Sequence, residues 1–268
     1  MRGTTQNFYT DNLVLLREHN YYTHKGDIMP PNAMLRDDMI KLTDHPVFEK
    51  LRQSVTFIDP SSVYISAQNA ELIRIGDGSI IYPNVYLIGL VTIGEHCVIG
   101  HTSTLINVSM GNNCTVESSK ICDAQIGNDV SIGPFALIEE DSSLADKSIL
   151  GFTAQVKRSH IGSNVIAKHH CYIGDAHVGD NVNLSAGFIT GNYGGMKKNT
   201  TIIEDGAFIG INVNLIAPVT IHRESYIAAG AIVKKNVPAH AVVVGLDRVL
   251  ANKKSYRLPE GWELREVT

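Results

Sequence analysis

IEDGAFIGINVNLIAPVTIHRESYIAAGAIVKKNV, residues 203–237, breaks into sixes without a slip. Ile203, Ile209, Leu215, Ile221, Ile227 and Val233 open successive sixes, and the compact residues Ala207, Val213, Val219, Ser225, Ala231 and Val237 follow four places later. An α-helix turns every 3.6 residues and drifts off a period of six within two repeats. A short strand followed by a tight corner does keep it. Each six then makes one flat side of a coil, with the large residue pointing inward and the compact one packed near the corner. Three sides close a turn, and turns stack about 4.8 Å apart. The period therefore predicts an all-β chain, a parallel β-helix of hexapeptide repeats.

The same register runs earlier through Ile75, Ile81, Leu87, Ile93, Ile99 and Leu105. It persists with insertions through Ile132 and Ile138, Leu150 and Val156, then Ala167 and Ile173. Strands of a sandwich would instead alternate with period two between turns 8–12 residues apart. Two unbroken runs of sixes exclude that pattern.

Outside the coil the pattern changes. Residues 1–54 read as a helical extension that covers the open end of the solenoid, since a bare end is an unprotected strand edge. Leu35, Met39 and Leu42 follow helical spacing with Asn32 as a cap, and a second short helix is expected from Pro46 through Phe48 and Leu51. The coil is expected over 55–237, and residues 238–268 form an irregular tail. TGNYGGMKKNTT (190–201) breaks the register with three glycines, which reads as a loop projecting from a corner.

Composition narrows the setting. A net charge of −4 over 268 residues argues against a nucleic-acid surface. No apolar run approaches the roughly 20 residues that span a bilayer. MRGTTQNFYTDN lacks the apolar core of a signal peptide, and Cys97, Cys114, Cys122 and Cys171 form no CxxC pair. A cytoplasmic protein with reduced thiols is expected, with Cys97 on a compact repeat position as a small buried hydrophobe.

One stretch is similar to a known family. AKHHCYIGDAHVGDNVNLSAGFITGNYGGMKKNTTII (167–203), with AFIGINVNLIAPVTI and YIAAGAIV after it, closely resembles the C-terminal acetyltransferase half of the bacterial bifunctional N-acetylglucosamine-1-phosphate uridyltransferase/glucosamine-1-phosphate acetyltransferase. VTFIDPSSVYI (55–65) is similar to the segment that opens the coil there, and the first 54 residues are too few for a uridyltransferase. The resemblance implies a left-handed coil and a homotrimer, with sites between neighbouring subunits. It also implies acetyl transfer from acetyl-coenzyme A to an amino sugar, with no metal needed for that step. By position it makes His169 the general base, a role that an imidazole of pKa roughly 6.5 suits near neutral pH. Alternation along a strand would let only one of His169 and His170 enter the site. Lys157, Tyr172, Asn183 and Lys198 match positions that hold the amino sugar phosphate, Lys198 by reaching a neighbour's substrate. Ala186, Asn192, Tyr193 and Ala229 match positions that line the coenzyme site.

The chain also departs from that pattern. Glu139 stands where a phosphate-binding arginine is expected, which turns attraction into repulsion. Gly194 replaces an aspartate, Ile211 a coenzyme-contacting serine, and Leu246 an arginine near the coenzyme phosphate that Arg248 would have to supply. Two other readings stand beside the acetyltransferase. HCVIGH (96–101) has a spacing that suggests a zinc hydratase, but Ile106 stands where a third histidine would be needed. The other is a coil that kept its shape and lost its chemistry, for which Glu139 and Ile211 speak.

Overall fold

The computed structural model describes residues 38–245 and the backbone of 248–249. These residues wind into a left-handed parallel β-helix of about 10 turns. One coil illustrates the rest. Ile149–Leu150 lies on one flat side, Ala154–Lys157 on the next and His160–Ile161 on the one after, and Ile166–Ala167 then returns beside Ile149–Leu150. We call these the third, first and second faces. Every pairing between coils is parallel, with ladder partners commonly 17 residues apart.

The six-residue period puts both expected residues inside. Ile203, Ile209, Leu215, Ile221, Ile227 and Val233 are buried, and so are Ala207, Val213, Val219, Ala231 and Val237. Each large aliphatic side chain taken fully from water stabilises the fold by roughly 1.5–3 kcal/mol. A serine can take the compact place because its hydroxyl finds backbone on the adjoining coil. Ser159 Oγ donates to the Ile173 carbonyl at 3.2 Å and accepts from the Ala176 N–H at 3.0 Å. The four cysteines are also inside, with free thiols.

Two expectations need correction. Met39–Lys41 is a strand rather than part of a helix, paired antiparallel with Tyr64–Ser66, and Leu42–Asp44 is a single 3-10 turn. The open edge of the Tyr64–Ser66 strand offers hydrogen bonds that outweigh local helical spacing. Asn32 and Leu35 lie outside the described residues. The second helix is present as Val47–Leu51 with Pro46 as its cap residue, and Phe48 packs edge-on against Phe57 at 5.7 Å. The coil also does not break at Thr190. Ile189–Gly191 pairs with Asn214–Ile216, and Thr190 occupies an inward position, its hydroxyl accepting from the Gly174 N–H at 2.7 Å. The insertion therefore begins after Gly191, where Tyr193 and Lys198 bridge as a small hairpin with Met196 at its exposed tip. Across it the separation of ladder partners widens from 17 to 25 residues.

Candidate active site

His169 lies on the edge where the third face turns into the first, between Ile166–Ala167 and Cys171–Gly174. At this edge Phe135, Thr153, Gly187, Asn212 and Gly230 take left-handed backbone with φ of 60°, 55°, 75°, 54° and 72°. His170 stands in the same place in its own coil and is not left-handed. The hydrogen bonds shift with it. The Phe152 N–H donates to the Lys168 carbonyl at 3.1 Å, and the Gly187 N–H to the His170 carbonyl at 2.8 Å. Gly151 makes room for this turn, since a Cβ there would lie 1.9 Å from the Lys168 oxygen. His169 and His170 are consequently both exposed and both part of a corner. The expected alternation does not choose between them, because it applies to a strand and neither residue is in one.

Register extends the edge into a column. Leu150 pairs with Ala167, Leu184 with Ile209 and Ile209 with Ile227. The corner residues that follow, Phe152, His169, Ala186, Ile211 and Ala229, therefore stand one above another. The Asn212 N–H donates to the Ala186 carbonyl and the Gly230 N–H to the Ile211 carbonyl, both at 2.8 Å. On one side of His169 the column offers small or aliphatic side chains. On the other, the exposed rings of Phe135 and Phe152 meet edge to face at 5.9 Å.

The opposite end of the Cys171–Gly174 strand, where the first face turns into the second, is polar and charged. Arg158 holds Asp175 through two bonds, Nε to Oδ1 at 2.7 Å and Nη2 to Oδ2 at 3.0 Å, and its Nη1 contacts Glu140. Lys157 Nζ lies 2.6 Å from Glu140 Oε1 and 3.7 Å from Glu139 Oε2. Asn192 is buried and donates to the Tyr172 hydroxyl at 3.2 Å and to Asp175. Hydrogen bonding from Arg158 holds the Asp175 carboxyl below its ordinary range, with Lys198 adding to the effect. Lys157 holds Glu140 down in the same way, and Glu140 raises Lys157 in return.

The matched residues thus divide within one chain. Tyr172, Lys157, Glu139 and Asn192 gather at this charged corner, with the Tyr193–Lys198 hairpin following Asn192. Ala186 and Ala229 stand with His169. Asn183 is on the third face, donating to Ser185 Oγ at 3.1 Å. Asn192 and Tyr193 do not join the Ala186 column, because they follow the far end of the Ile189–Gly191 strand. Arg248 pairs through its backbone with Val244; its side chain and Leu246 lie outside the described residues. Sequence reading missed Arg158, Asp175 and Glu140. Their signal was two charged pairs, EE at 139–140 and KR at 157–158, set one coil apart.

A groove of about 560 Å³ lies on the second face, away from the His169 edge. It is lined by His160, His177, Ile202, Glu204, Asp205 and Arg223 among others, with the two imidazoles stacked at 5.1 Å. The His169 edge itself is convex. No helix among the described residues is long and apolar enough to cross a membrane.

Comparison with known proteins agrees with this architecture. The family model for the bacterial transferase hexapeptide (six repeats) matches residues 73–107 and 200–235. The Bifunctional protein GlmU of Geobacillus sp. (strain WCH70) is 46% identical over 206 residues, 77% of this chain and 44% of that protein. The same-named protein of Thermotoga maritima is 40% identical over 218 residues, 81% of this chain and 46% of that one. That of Brevibacillus brevis is 34% identical over 257 residues, 93% and 55% respectively. The chain spans about half the length of these relatives. With its register, its corners and these matches in agreement, the chain belongs to the hexapeptide-repeat transferases and is related to the C-terminal half of the GlmU proteins.

Proposed function

We propose that this coil transfers an acetyl group from acetyl-coenzyme A to the amine of an amino sugar, with His169 as general base. The observation that carries the reading is the edge column. An exposed imidazole stands at an irregular corner and is followed, coil by coil, by Ala186, Ile211 and Ala229. The two alanines leave a shallow strip, with the exposed aliphatic side chain of Ile211 between them, along which a thin pantetheine chain can lie. In the reaction the neutral amine attacks the thioester carbonyl carbon, and the oxygen becomes an oxyanion that a fixed backbone N–H can stabilise. His169 takes the proton from the attacking nitrogen. The C–S bond then breaks, and the imidazolium returns that proton to the departing sulfur.

A convex edge cannot surround a ligand, whereas small-molecule sites are concave. Asn183 and Tyr172 also lie on different faces of that edge. A second surface is therefore needed to close the site, and three flat faces suit a homotrimer in which Lys198 reaches a neighbour's substrate. The Tyr193–Lys198 hairpin, which stands off the coil, supports that role. Acetyl-coenzyme A with a panel of amino sugars, read by thiol release and product mass, tests the activity. No thiol release with any amine would favour a coil that binds without reacting. Light scattering tests assembly, and a monomer at micromolar protein would remove the composite site.

A further inference from the structure

Lys157, expected to receive a phosphate, and its neighbour Arg158 are already engaged by carboxylates of the same chain. Lys157 lies between Glu140 at 2.6 Å and Glu139 at 3.7 Å, and Arg158 lies between Asp175 at 2.7 Å and Glu140. Three carboxylates thus meet two cations. Lys198, in the insertion that follows Asn192, also helps to hold Asp175 in its ionised form. The arrangement is built into the coil. Glu139 pairs in register with Lys157, and Lys157 with Gly174, so these charges stack one coil apart on the same outward line. Glu139 also accepts from Gln155 Nε2 at 3.4 Å through Oε2, while its Oε1 has no partner among the described residues. Its side chain is 26% exposed, open enough to meet a ligand and sheltered enough for its charge to be felt.

We infer that the acceptor presents an uncharged hydroxyl or an amine to Glu139, and that a phosphate at that position is selected against. The inference rests on the acetyltransferase reading and names the substrate class of that same site. A sugar hydroxyl donates to Glu139 Oε1 and leaves the ion pairs intact. A phosphate must either approach Glu139 against like charge or draw Lys157 and Arg158 away from Glu140 and Asp175. The charge-assisted bonds it gains are then offset by those it breaks. Glu139 is accordingly the specificity-determining residue, and Glu140 positions Lys157 away from the ligand.

The test compares glucosamine with glucosamine 1-phosphate as acceptors, in kcat/KM and in binding by calorimetry, for wild type, Glu139→Arg and Glu140→Gln. Circular dichroism checks that each variant keeps its coil. The expected wild type favours glucosamine by about tenfold or more, as polar sites discriminate. Both substitutions should move the ratio toward the phosphate, Glu139→Arg further because it adds a bidentate donor. A wild type that prefers the phosphate, or ratios that neither substitution moves, would overturn the inference while leaving acetyl transfer intact. If no amine is acetylated, the transfer reading fails and calorimetry still decides this one. Tighter binding of the phosphate overturns it, as does binding of neither sugar.

Discussion

The strand Cys171–Gly174 ends in two corners that differ in nearly every outward respect. At its start, His169 stands in a column with Phe152, Ala186, Ile211 and Ala229, none of which carries a charge. At its end, Asp175 stands among Arg158, Glu140, Lys157 and Asn192, joined by ion pairs and hydrogen bonds. Between them Ile173 sits on the same buried ladder as Val156. The inside of the coil is thus uniform where the outside diverges completely. Packing constrains the inward positions of each six and leaves corners and outward positions free to carry chemistry. On the proposed reading, one corner would serve proton transfer beside the coenzyme's thin pantetheine arm and the other would hold polar groups of the acceptor.

The largest contrast should come from the His169 corner. His169→Ala is expected to lower kcat by roughly 10²–10⁴-fold with the melting temperature unchanged, whereas His170→Ala stays within a few-fold. Equal losses from the two, in side-by-side kinetics, would return His169 to a structural role. Next comes the shared interior. Ile173→Ala should lower unfolding free energy by about 2–5 kcal/mol, while Ile202→Ala, on the half-open second face, should stay within about 0.5 kcal/mol. Chemical denaturation of both reads the difference, and similar losses would mean that the second face is covered.

Gly151→Ala probes how the His169 corner is held. Its new Cβ would collide with the Lys168 carbonyl, so the corner must move while the rest of the coil stays. Because misplacement near 1 Å can cost about 10²-fold, kcat should fall by roughly 10–100-fold with circular dichroism unchanged. Full activity would show that the corner relaxes without moving the imidazole.

The charged corner gives the smallest effect and the one that depends on pH. Arg158→Ala should cost about 1 kcal/mol at pH 7, the scale of a partly exposed pair with good geometry. Asp175 and Glu140 titrate below their ordinary range, so folding keeps them ionised where the unfolded chain takes up protons. Their contribution is complete above about pH 4, the unfolded carboxylate range, and is lost as pH falls through the lower folded values. The gap between wild type and Arg158→Ala in denaturation curves should narrow below about pH 4. A gap that persists undiminished at pH 2 would assign the loss to packing of the arginine stem.

What the sequence determined by itself was the interior. A period of six is a local property, and it places Ile203 through Val233 inside wherever the coils later stack. The resemblance pointed to His169, Ala186 and Ala229 one by one, and did not show that they stand in one column. Tertiary structure alone decided the partners across coils. Glu139 meets Lys157 18 residues along the chain because a coil closes there. Thr190 stays inside because Gly174 supplies it a hydrogen bond from the coil before. Met39–Lys41 became a strand because Tyr64–Ser66 offered it an open edge. The bend at His169 likewise depends on a glycine in the preceding coil, a contact that no local spacing encodes.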